Sequence, residues 1–293
     1  MEKEIEPMST PSSGVTRDKE ELSQQWDSVA AGWKKWWPTI EDAARCVSRR
    51  MIELAEIQPG HRVLDIATGI GEPALLAASR VGPTGRVVAT DLSSRMLEIA
   101  RERAMTLGVT NVEFMEADAE RLDFPDGSFD AVLWRWGVTD LPDPLNTLVA
   151  IRRMLAPNGA FATAVWDAGP KARPLATLAM IAAREMFDLP APLVEEPSRP
   201  GSVGPALAKA LGHAGFPDVR VEEMRLTLEF ASTDDCNRYL MDVSPVFAAL
   251  LSDKSPAEQG EYRHRLAEKL RQYVTADGGV RIPNATICAV GRR

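Results

Sequence analysis

The stretch that most constrains the fold is VLDIATGIGEPALLAA, at residues 63–78. A short apolar strand pattern leads into a turn of small residues, and Pro73 then opens a segment with helix formers at helical spacing. Gly69 and Gly71 permit backbone conformations closed to other residues and let the backbone approach a ligand. The first N–H groups of the helix have no partner within it, so they face whatever lies above the loop. The stretch therefore predicts a strand, loop and helix that bind a nucleotide-like ligand.

Two classes of ligand fit such a loop. Residues 69–74 match the dinucleotide fingerprint, and Asp91 lies at the offset of a ribose-binding acid. Glu72 at the helix N-terminus and Asp65 at the strand end, however, disfavour the two phosphate charges of a dinucleotide. S-adenosylmethionine suits these acids better, because its ammonium and sulfonium groups are cationic. We therefore expect S-adenosylmethionine, and an NAD-dependent oxidoreductase is the less favoured alternative.

Five stretches resemble, in the right order, the motifs of class I S-adenosylmethionine-dependent methyltransferases. They are DIATGIG at 65–71, RVVATD at 86–91, EADA at 116–119, FPDGSFDAVL at 124–133 and LAPNG at 155–159. The core that they cover, about residues 62–166, is similar to that of the ubiquinone/menaquinone C-methyltransferases. Those enzymes also accept an alanine where Ala67 replaces the first glycine of the first motif. The resemblance implies a methyltransferase.

The resemblance also implies where the cofactor binds. Asp91 would bind the ribose hydroxyls, Asp118 would contact the adenine, and Trp134 would offer its backbone carbonyl to the methionine ammonium. Trp33, in a predicted N-terminal helix, would close over the cofactor. The full predicted cofactor set is Trp33, Asp65, Ala67, Thr68, Gly69, Gly71, Asp91, Leu92, Met96, Asp118, Ala119 and Trp134.

Some of these residues have simpler alternative roles. Trp33 lies in an aromatic stripe that would also suit a helix packed on the core. Asp118 could cap its own turn. Ser93 and Ser94 can cap the helix that follows Asp91, which would leave that carboxylate free.

The segment WRWGVTD, at 134–140, is the least generic part of the core. Its two indoles and one guanidinium predict a pocket for a flat or apolar acceptor with an acidic oxygen, because tryptophan gives rigid apolar area and arginine fixes an oxyanion. The alternative is that Arg135 pairs internally and one tryptophan belongs to the core. The predicted acceptor residues are Trp37, Arg135, Trp136 and Asp140.

The predicted reaction is methyl transfer to O or C of a small aromatic, quinone-like or polyketide-like acceptor. Direct displacement disperses charge, so alignment and exclusion of water can supply much of the acceleration. We therefore assign no catalytic residue. The alternative from another class is a protein that binds S-adenosylmethionine without methylating anything.

Composition limits the partners. The formal net charge of −8 and the lack of Lys/Arg clusters argue against nucleic acid. No apolar run reaches the length of a membrane span, and residues 1–17 carry neither a signal core nor an Arg-rich amphipathic pattern. We expect a cytoplasmic protein whose partner is a small-molecule acceptor, and a homodimer stays open.

The cysteines and histidines predict no metal site. The three cysteines are scattered with no C-x-x-C pair, which favours reduced thiols over the metalloid site of an arsenite-type methyltransferase. The three histidines lack ligand spacing as well. These residues are Cys46, Cys236, Cys288, His61, His213 and His264.

The predicted fold class is α/β, a Rossmann-like class I methyltransferase fold. Alternating strand and helix patterns predict a mostly parallel seven-stranded sheet with helices on both faces. We expect a disordered tail at 1–17, an N-terminal helical lid at 18–57 broken at Pro38, and the methyltransferase domain at 58–293. Helical insertions at about 167–200 and 234–276, the second before the last strand, would roof the acceptor site.

Overall fold

The computed structural model describes residues 19–138, 141, 144–168, 172–187, 189 and 203–293. Its strands form one sheet of seven in the order β3-β2-β1-β4-β5-β7-β6. The strands are β1 (Arg62–Ile66), β2 (Arg86–Asp91), β3 (Val112–Glu116), β4 (Phe129–Arg135), β5 (Leu155–Trp166), β6 (Asp218–Phe230) and β7 (Val280–Arg292). Strands β1 to β5 pair in parallel, and β7 runs antiparallel between β5 and β6. The predicted Rossmann-like, mostly parallel sheet is confirmed.

Helices cover both faces of this sheet. The described helices are α1 (Lys19–Leu54), α2 (Ala74–Val81), α3 (Ser94–Thr106), α4 (Pro144–Met154), α5 (Pro174–Met186), α6 (Val203–His213), α7 (Thr233–Val243), α8 (Pro245–Ser252) and α9 (Pro256–Leu270). Alternate residues of a strand point to opposite faces. Leu133 accordingly packs in a core with α1, α2, α5 and α7 to α9, whereas Val132 packs with α4 and α6.

The N-terminal helix differs from the prediction. Pro38 does not break it, and α1 continues for 36 residues with that proline inside. A proline inside a helix costs about 3 kcal/mol, and burial of a long apolar stripe offsets this cost. The buried apolar residues on both sides of the proline are Val29, Ala30, Ile40, Ala43, Ala44, Val47, Met51 and Ile52.

Helix α1 has two different surroundings along its length. Val47 and Met51 pack in the core on one face of the sheet. Val29 and Ala30 pack instead on Ile70, which follows β1, and on α3. The first half of α1 therefore lies over the carboxyl ends of the strands, where ligands of open α/β sheets bind.

The later insertions are helical where the structure describes them. The predicted insertion at 234–276 forms most of α7 and all of α8 and α9, and α5 lies in the insertion at 167–200. The predicted tail at 1–17, and residues 169–171, 188 and 190–200 of the first insertion, lie outside the described residues. Among the described helices, none combines the length and apolar character needed to cross a membrane.

Candidate cofactor and acceptor site

The loop after β1 has the strained backbone that its sequence predicts. Ala67, Gly69 and Gly71 have φ of 52°, 57° and 103°, in the left-handed region that favours glycine. A Cβ atom added to Gly69 would meet nothing within 4 Å, whereas one on Gly71 would lie 3.0 Å from the Leu75 side chain. Gly71 therefore serves helix packing, and Gly69 marks the side of the loop that a ligand can approach. The Thr68 N–H donates to the Thr90 carbonyl at 2.8 Å and ties the loop to β2.

Asp65 stands at the N-terminus of α2. Its Oδ2 accepts the Thr68 hydroxyl at 2.6 Å and the Ala74 N–H at 3.0 Å. Burial raises the pKa of this carboxyl to about 7. A carboxylate therefore already occupies the position where a dinucleotide would place its pyrophosphate.

Asp91 holds the glycine loop from the side of β2. Its carboxylate accepts the Gly69 N–H at 2.7 Å and the Ser93 N–H at 2.9 Å. Ser93 caps α3, as expected, by accepting the Met96 N–H at 3.1 Å. The expectation that this capping leaves the Asp91 carboxylate free is wrong, because both of its oxygens carry backbone hydrogen bonds. Each oxygen keeps a further lone pair for a ligand hydroxyl.

The predicted adenine end of the site lies under the start of α1. Asp118 caps a 3-10 turn that begins at Ala119, by accepting the Glu120 N–H at 3.0 Å. It therefore has the alternative capping role, and it also accepts the Lys19 ammonium at 3.2 Å. The Leu92 carbonyl accepts the hydroxyl of Ser23 at 3.0 Å.

Trp33 of α1 and Met96 of α3, two predicted cofactor residues, belong to one apolar cluster, whereas a third, Trp134, lies elsewhere. Trp33 packs beside Met96, and its Nε1 donates to the Val243 carbonyl at 3.0 Å, which links α1 to α7. The Trp134 side chain is buried in the core on the other face of the sheet, and its carbonyl accepts the Thr163 hydroxyl at 2.8 Å. Trp134 can therefore reach a ligand only through its backbone. The contacts of these residues with a cofactor stay predictions.

A buried cluster of charges, which sequence reasoning missed, connects α1 with the loop. Arg103 Nη2 lies 3.1 Å from Glu72 Oε1. Arg135 Nη1 donates to the Ser48 hydroxyl at 2.7 Å. Glu41 is the third carboxyl whose charge acts on Arg135, beside Asp65 and Glu72. We call Glu41, Glu72, Asp65, Arg103 and Arg135 the charge cluster.

The charge cluster changes the interpretation of two predicted acceptor residues. Arg135 has an internal hydrogen-bond partner in Ser48, in line with the alternative to binding an acceptor oxyanion, and burial lowers the pKa of its guanidinium. Its contact with an acceptor stays a prediction. Trp37 stacks on the Arg103 guanidinium with 3.5 Å between Cζ and the ring centroid. A sequence signal existed, since Glu41 and Ser48 lie seven residues apart on one face of α1.

The third predicted acceptor residue lies in an aromatic wall. Trp136, with φ of 64°, stacks on Trp166 with ring centroids 4.3 Å apart, and its Nε1 donates to the Thr286 hydroxyl at 3.0 Å. Trp36 and Tyr239 meet edge to face nearby, with centroids 5.6 Å apart. Sequence reasoning did not select Trp166, which ends β5. The fourth predicted acceptor residue, Asp140, lies outside the described residues.

Known proteins share both the sequence and the fold of this site. The model of the "ubiE/COQ5 methyltransferase family" matches residues 42–167. The chain is 39% identical over 142 residues to the ubiquinone/menaquinone biosynthesis C-methyltransferase UbiE of Ectopseudomonas mendocina. This match covers 48% of this chain and 56% of that protein. It is 41% identical over 140 residues to UbiE of Ectopseudomonas oleovorans, covering 47% of this chain and 82% of that protein. The chain thus spans about half the length of the first of these relatives.

Solved structures agree on the fold. Phosphoethanolamine N-methyltransferase 2 of Haemonchus contortus, in complex with S-adenosyl-L-methionine, superposes with a TM-score of 0.58 at 20% identity, covering 94% of this chain and 60% of that one. The [4+2]-cyclase SpnF superposes with a TM-score of 0.57 at 17% identity, covering 93% and 96%. At such identities these likenesses show the fold alone.

Sequence identity therefore decides the family. The more extensively covered of these two relatives matches over four fifths of its length. The segment matched by the family model includes the loop and strands that build the site described above. The expected methyltransferase family is confirmed and, at the level of the family, so is S-adenosylmethionine as its cofactor class. The chain belongs to the ubiE/COQ5 methyltransferase family.

Proposed function

We propose that this chain is an S-adenosylmethionine-dependent methyltransferase that acts at O or C of a planar, quinone-like or other aromatic small molecule. The observation that carries the proposal is the loop between Asp65 and Asp91. The loop leaves space for a ligand at Gly69. On one side its Gly69 N–H donates to Asp91, the proposed ribose-binding acid. On the other side, the Asp65 carboxyl accepts the Ala74 N–H at the start of α2, where a pyrophosphate would otherwise bind.

The residues of the site suit a cofactor with a cationic end. Asp65, Glu72 and Glu41 each have one buried carboxylate oxygen without a partner, and such oxygens are costly unless a donor or cation meets them. The glycine loop and Asp91 would hold the ribose, and Asp118 would lie toward the adenine. When bound, S-adenosylmethionine supplies an electrophilic methyl group.

The chain's own contribution is to bind, align and exclude water. Helix α1 lies across the loop, where Ile70, Met96 and Trp33 form an apolar layer. An apolar cover strengthens the electrostatic interactions beneath it and excludes water as a competing acceptor. We assign no proton-transfer residue, because displacement at a methyl group requires a strong base only for a weakly acidic acceptor.

The aromatic wall supports a planar acceptor. Trp136 and Trp166 present parallel indoles, and the Arg173 guanidinium lies 5.0 Å from the Trp166 ring centroid. Rigid indoles bind flat rings, and a guanidinium favours an acidic oxygen. The family match ends at residue 167, and α5 and α7 to α9, which follow it, would roof the acceptor site. We therefore extend the quinone named for the relatives to aromatic acceptors in general.

A second candidate is a protein that binds S-adenosylmethionine without transferring its methyl group. The fold supports it as well as it supports a transferase, since the [4+2]-cyclase SpnF has the same architecture. For either candidate we propose a cytoplasmic protein that does not act on nucleic acid, in keeping with the net charge of −8.

Calorimetric titration with S-adenosylmethionine, S-adenosylhomocysteine and NAD tests the cofactor. We expect the first two to bind and NAD not to bind, and binding of NAD alone would return the loop to a dehydrogenase role. Incubation with methyl-labelled S-adenosylmethionine and a panel of phenols, quinols and polyketides then tests transfer. Cofactor binding without label transfer to any member, while a UbiE enzyme labels its own acceptor in parallel, favours the second candidate.

A further inference from the structure

Three acidic side chains of the charge cluster share one unusual feature. Asp65, Glu72 and Glu41 are 0%, 8% and 4% exposed. Each has one oxygen with a hydrogen-bond partner and one buried oxygen without any. Burial of an unpartnered carboxylate oxygen is unfavourable, so three at one place indicate a position where a ligand supplies positive charge or donors.

The cations among the described residues do not complete this site. The charge cluster sets two largely buried guanidiniums, those of Arg103 and Arg135, against three carboxyls. Arg45, whose Nε lies 3.2 Å from Glu41 Oε1, stands at the rim with 53% of its side chain exposed, so water screens part of its charge and Arg45 offsets Glu41 only partly. The interior of the charge cluster therefore carries an excess of negative charge when all three carboxyls are ionised.

Glu41 differs from the other two acids because of the element that carries it. Asp65 and Glu72 belong to β1 and the loop, so they are present whether or not α1 covers the site. Glu41 lies on α1, one turn after Trp37, which stacks on the Arg103 guanidinium. Burial and the charge of Glu72 raise the pKa of its carboxyl, and the charges of Arg135 and Arg45 act in the opposite direction. These neighbours come from the loop, β4 and α1 itself.

On the basis of the proposed function, we propose that Glu41 is a specificity-determining residue that makes the site prefer S-adenosylmethionine over S-adenosylhomocysteine. The two molecules differ by one methyl group and by the positive charge of the sulfonium. A carboxylate with a free, buried oxygen attracts the sulfonium of S-adenosylmethionine and gains nothing from the neutral thioether of S-adenosylhomocysteine. Glu41 thereby links the cover provided by α1 to the charge of the cofactor and favours exchange of the spent product.

The test compares dissociation constants for the two molecules by calorimetry, in the wild type and three variants. Glu41→Gln keeps the shape of the side chain and removes its charge. We expect it to lower the preference, the ratio of the S-adenosylhomocysteine constant to the S-adenosylmethionine constant, about tenfold. Arg45→Gln removes the rim cation that offsets Glu41, so we expect this ratio to rise. Asp42→Asn removes an exposed carboxylate one residue away and should leave the ratio unchanged.

The outcomes separate the two proposals. If the wild type binds neither molecule, the proposed function fails, and this inference fails with it. If the wild type binds both and Glu41→Gln leaves the ratio unchanged, or Asp42→Asn lowers it equally, only the role of Glu41 is overturned. Should Glu41→Gln not fold, as judged by circular dichroism, Arg45→Gln decides: a ratio that does not rise overturns the inference.

Discussion

The Asp91 carboxylate accepts the backbone N–H of Gly69 at 2.7 Å, across the gap between β2 and the loop that follows β1. The residue proposed to bind the ribose is therefore also the residue that fixes the loop. We expect Asp91→Ala to weaken S-adenosylmethionine binding roughly 10- to 150-fold, from loss of charge-assisted bonds that contribute about 1.5–3 kcal/mol. Calorimetry measures this, with the exposed Glu98→Ala on α3 as the control. Unchanged affinity in Asp91→Ala would contradict the ribose assignment.

Trp136 tests the acceptor wall separately from the cofactor. We expect Trp136→Ala to leave S-adenosylmethionine affinity within about twofold and to lower acceptor turnover at least tenfold, since it removes the indole stacked on Trp166. Trp136→Phe, which loses the bond to Thr286 but keeps a ring, should retain more turnover. Equal loss of cofactor affinity and turnover in Trp136→Ala would show that the wall lies against the cofactor instead.

Gly32 tests the contact between α1 and α7. A Cβ atom there would overlap the Asp242 carbonyl, so we expect Gly32→Ala to lower the free energy of unfolding by about 1–3 kcal/mol, the usual cost of overpacking. Gly212→Ala on α6 is the matched control, because its Cβ would meet nothing within 4 Å. That substitution should stabilise by about 0.5–1 kcal/mol. Urea denaturation measures both, and equal effects would contradict the close approach.

Asp65 gives the fold a defined pH dependence. Its folded pKa of about 7 lies above the ordinary value of 3.8, so the folded protein holds a proton that the unfolded chain releases between those two values. The carboxyl therefore lowers stability as pH rises from about 4 to 7, by on the order of 4 kcal/mol, with no further change above 7.

Denaturation at several pH values tests whether the Asp65 carboxyl lowers the free energy of unfolding as pH rises. The free energy of unfolding of the wild type, measured relative to Asp65→Asn, should fall across that range. Subtracting the value for Asp65→Asn removes the contributions of groups that titrate in both proteins, including Glu41. A flat or rising difference would show that Asp65 is ionised when buried.

Local patterns predicted the sheet and the loop because both depend on neighbours in the sequence. The strand of Asp65, the left-handed positions at Gly69 and Gly71, and the cap at Ser93 all follow from spacings of a few residues. The family resemblance, carried by such short motifs, was equally accessible.

Long-range pairing was not accessible in the same way. Whether Arg135 binds an acceptor or bonds within the protein depends on which residues the fold places beside it. Its partner Ser48 lies 87 residues away in the sequence. Trp166 became part of the wall only because β5 places it beside Trp136. The effect of Pro38 was misjudged for a related reason, since the helix that contains it is stabilised by tertiary burial rather than by local propensity.

The proline inside α1 lies between two attachments of that helix. Pro38 has no N–H to donate, so the helix lacks the backbone hydrogen bond from residue 38 to the Lys34 carbonyl, in the turn that contains Trp37. On one side, residues 19–37 are attached to the ligand edge by the apolar packing of Val29 and Ala30 on Ile70 and by polar contacts such as that of Asp27 with Ser93. On the other, Val47 and Met51 are anchored in the core. One helix thus fastens the ligand edge of the sheet and its core to each other, with a missing backbone hydrogen bond between the two attachments.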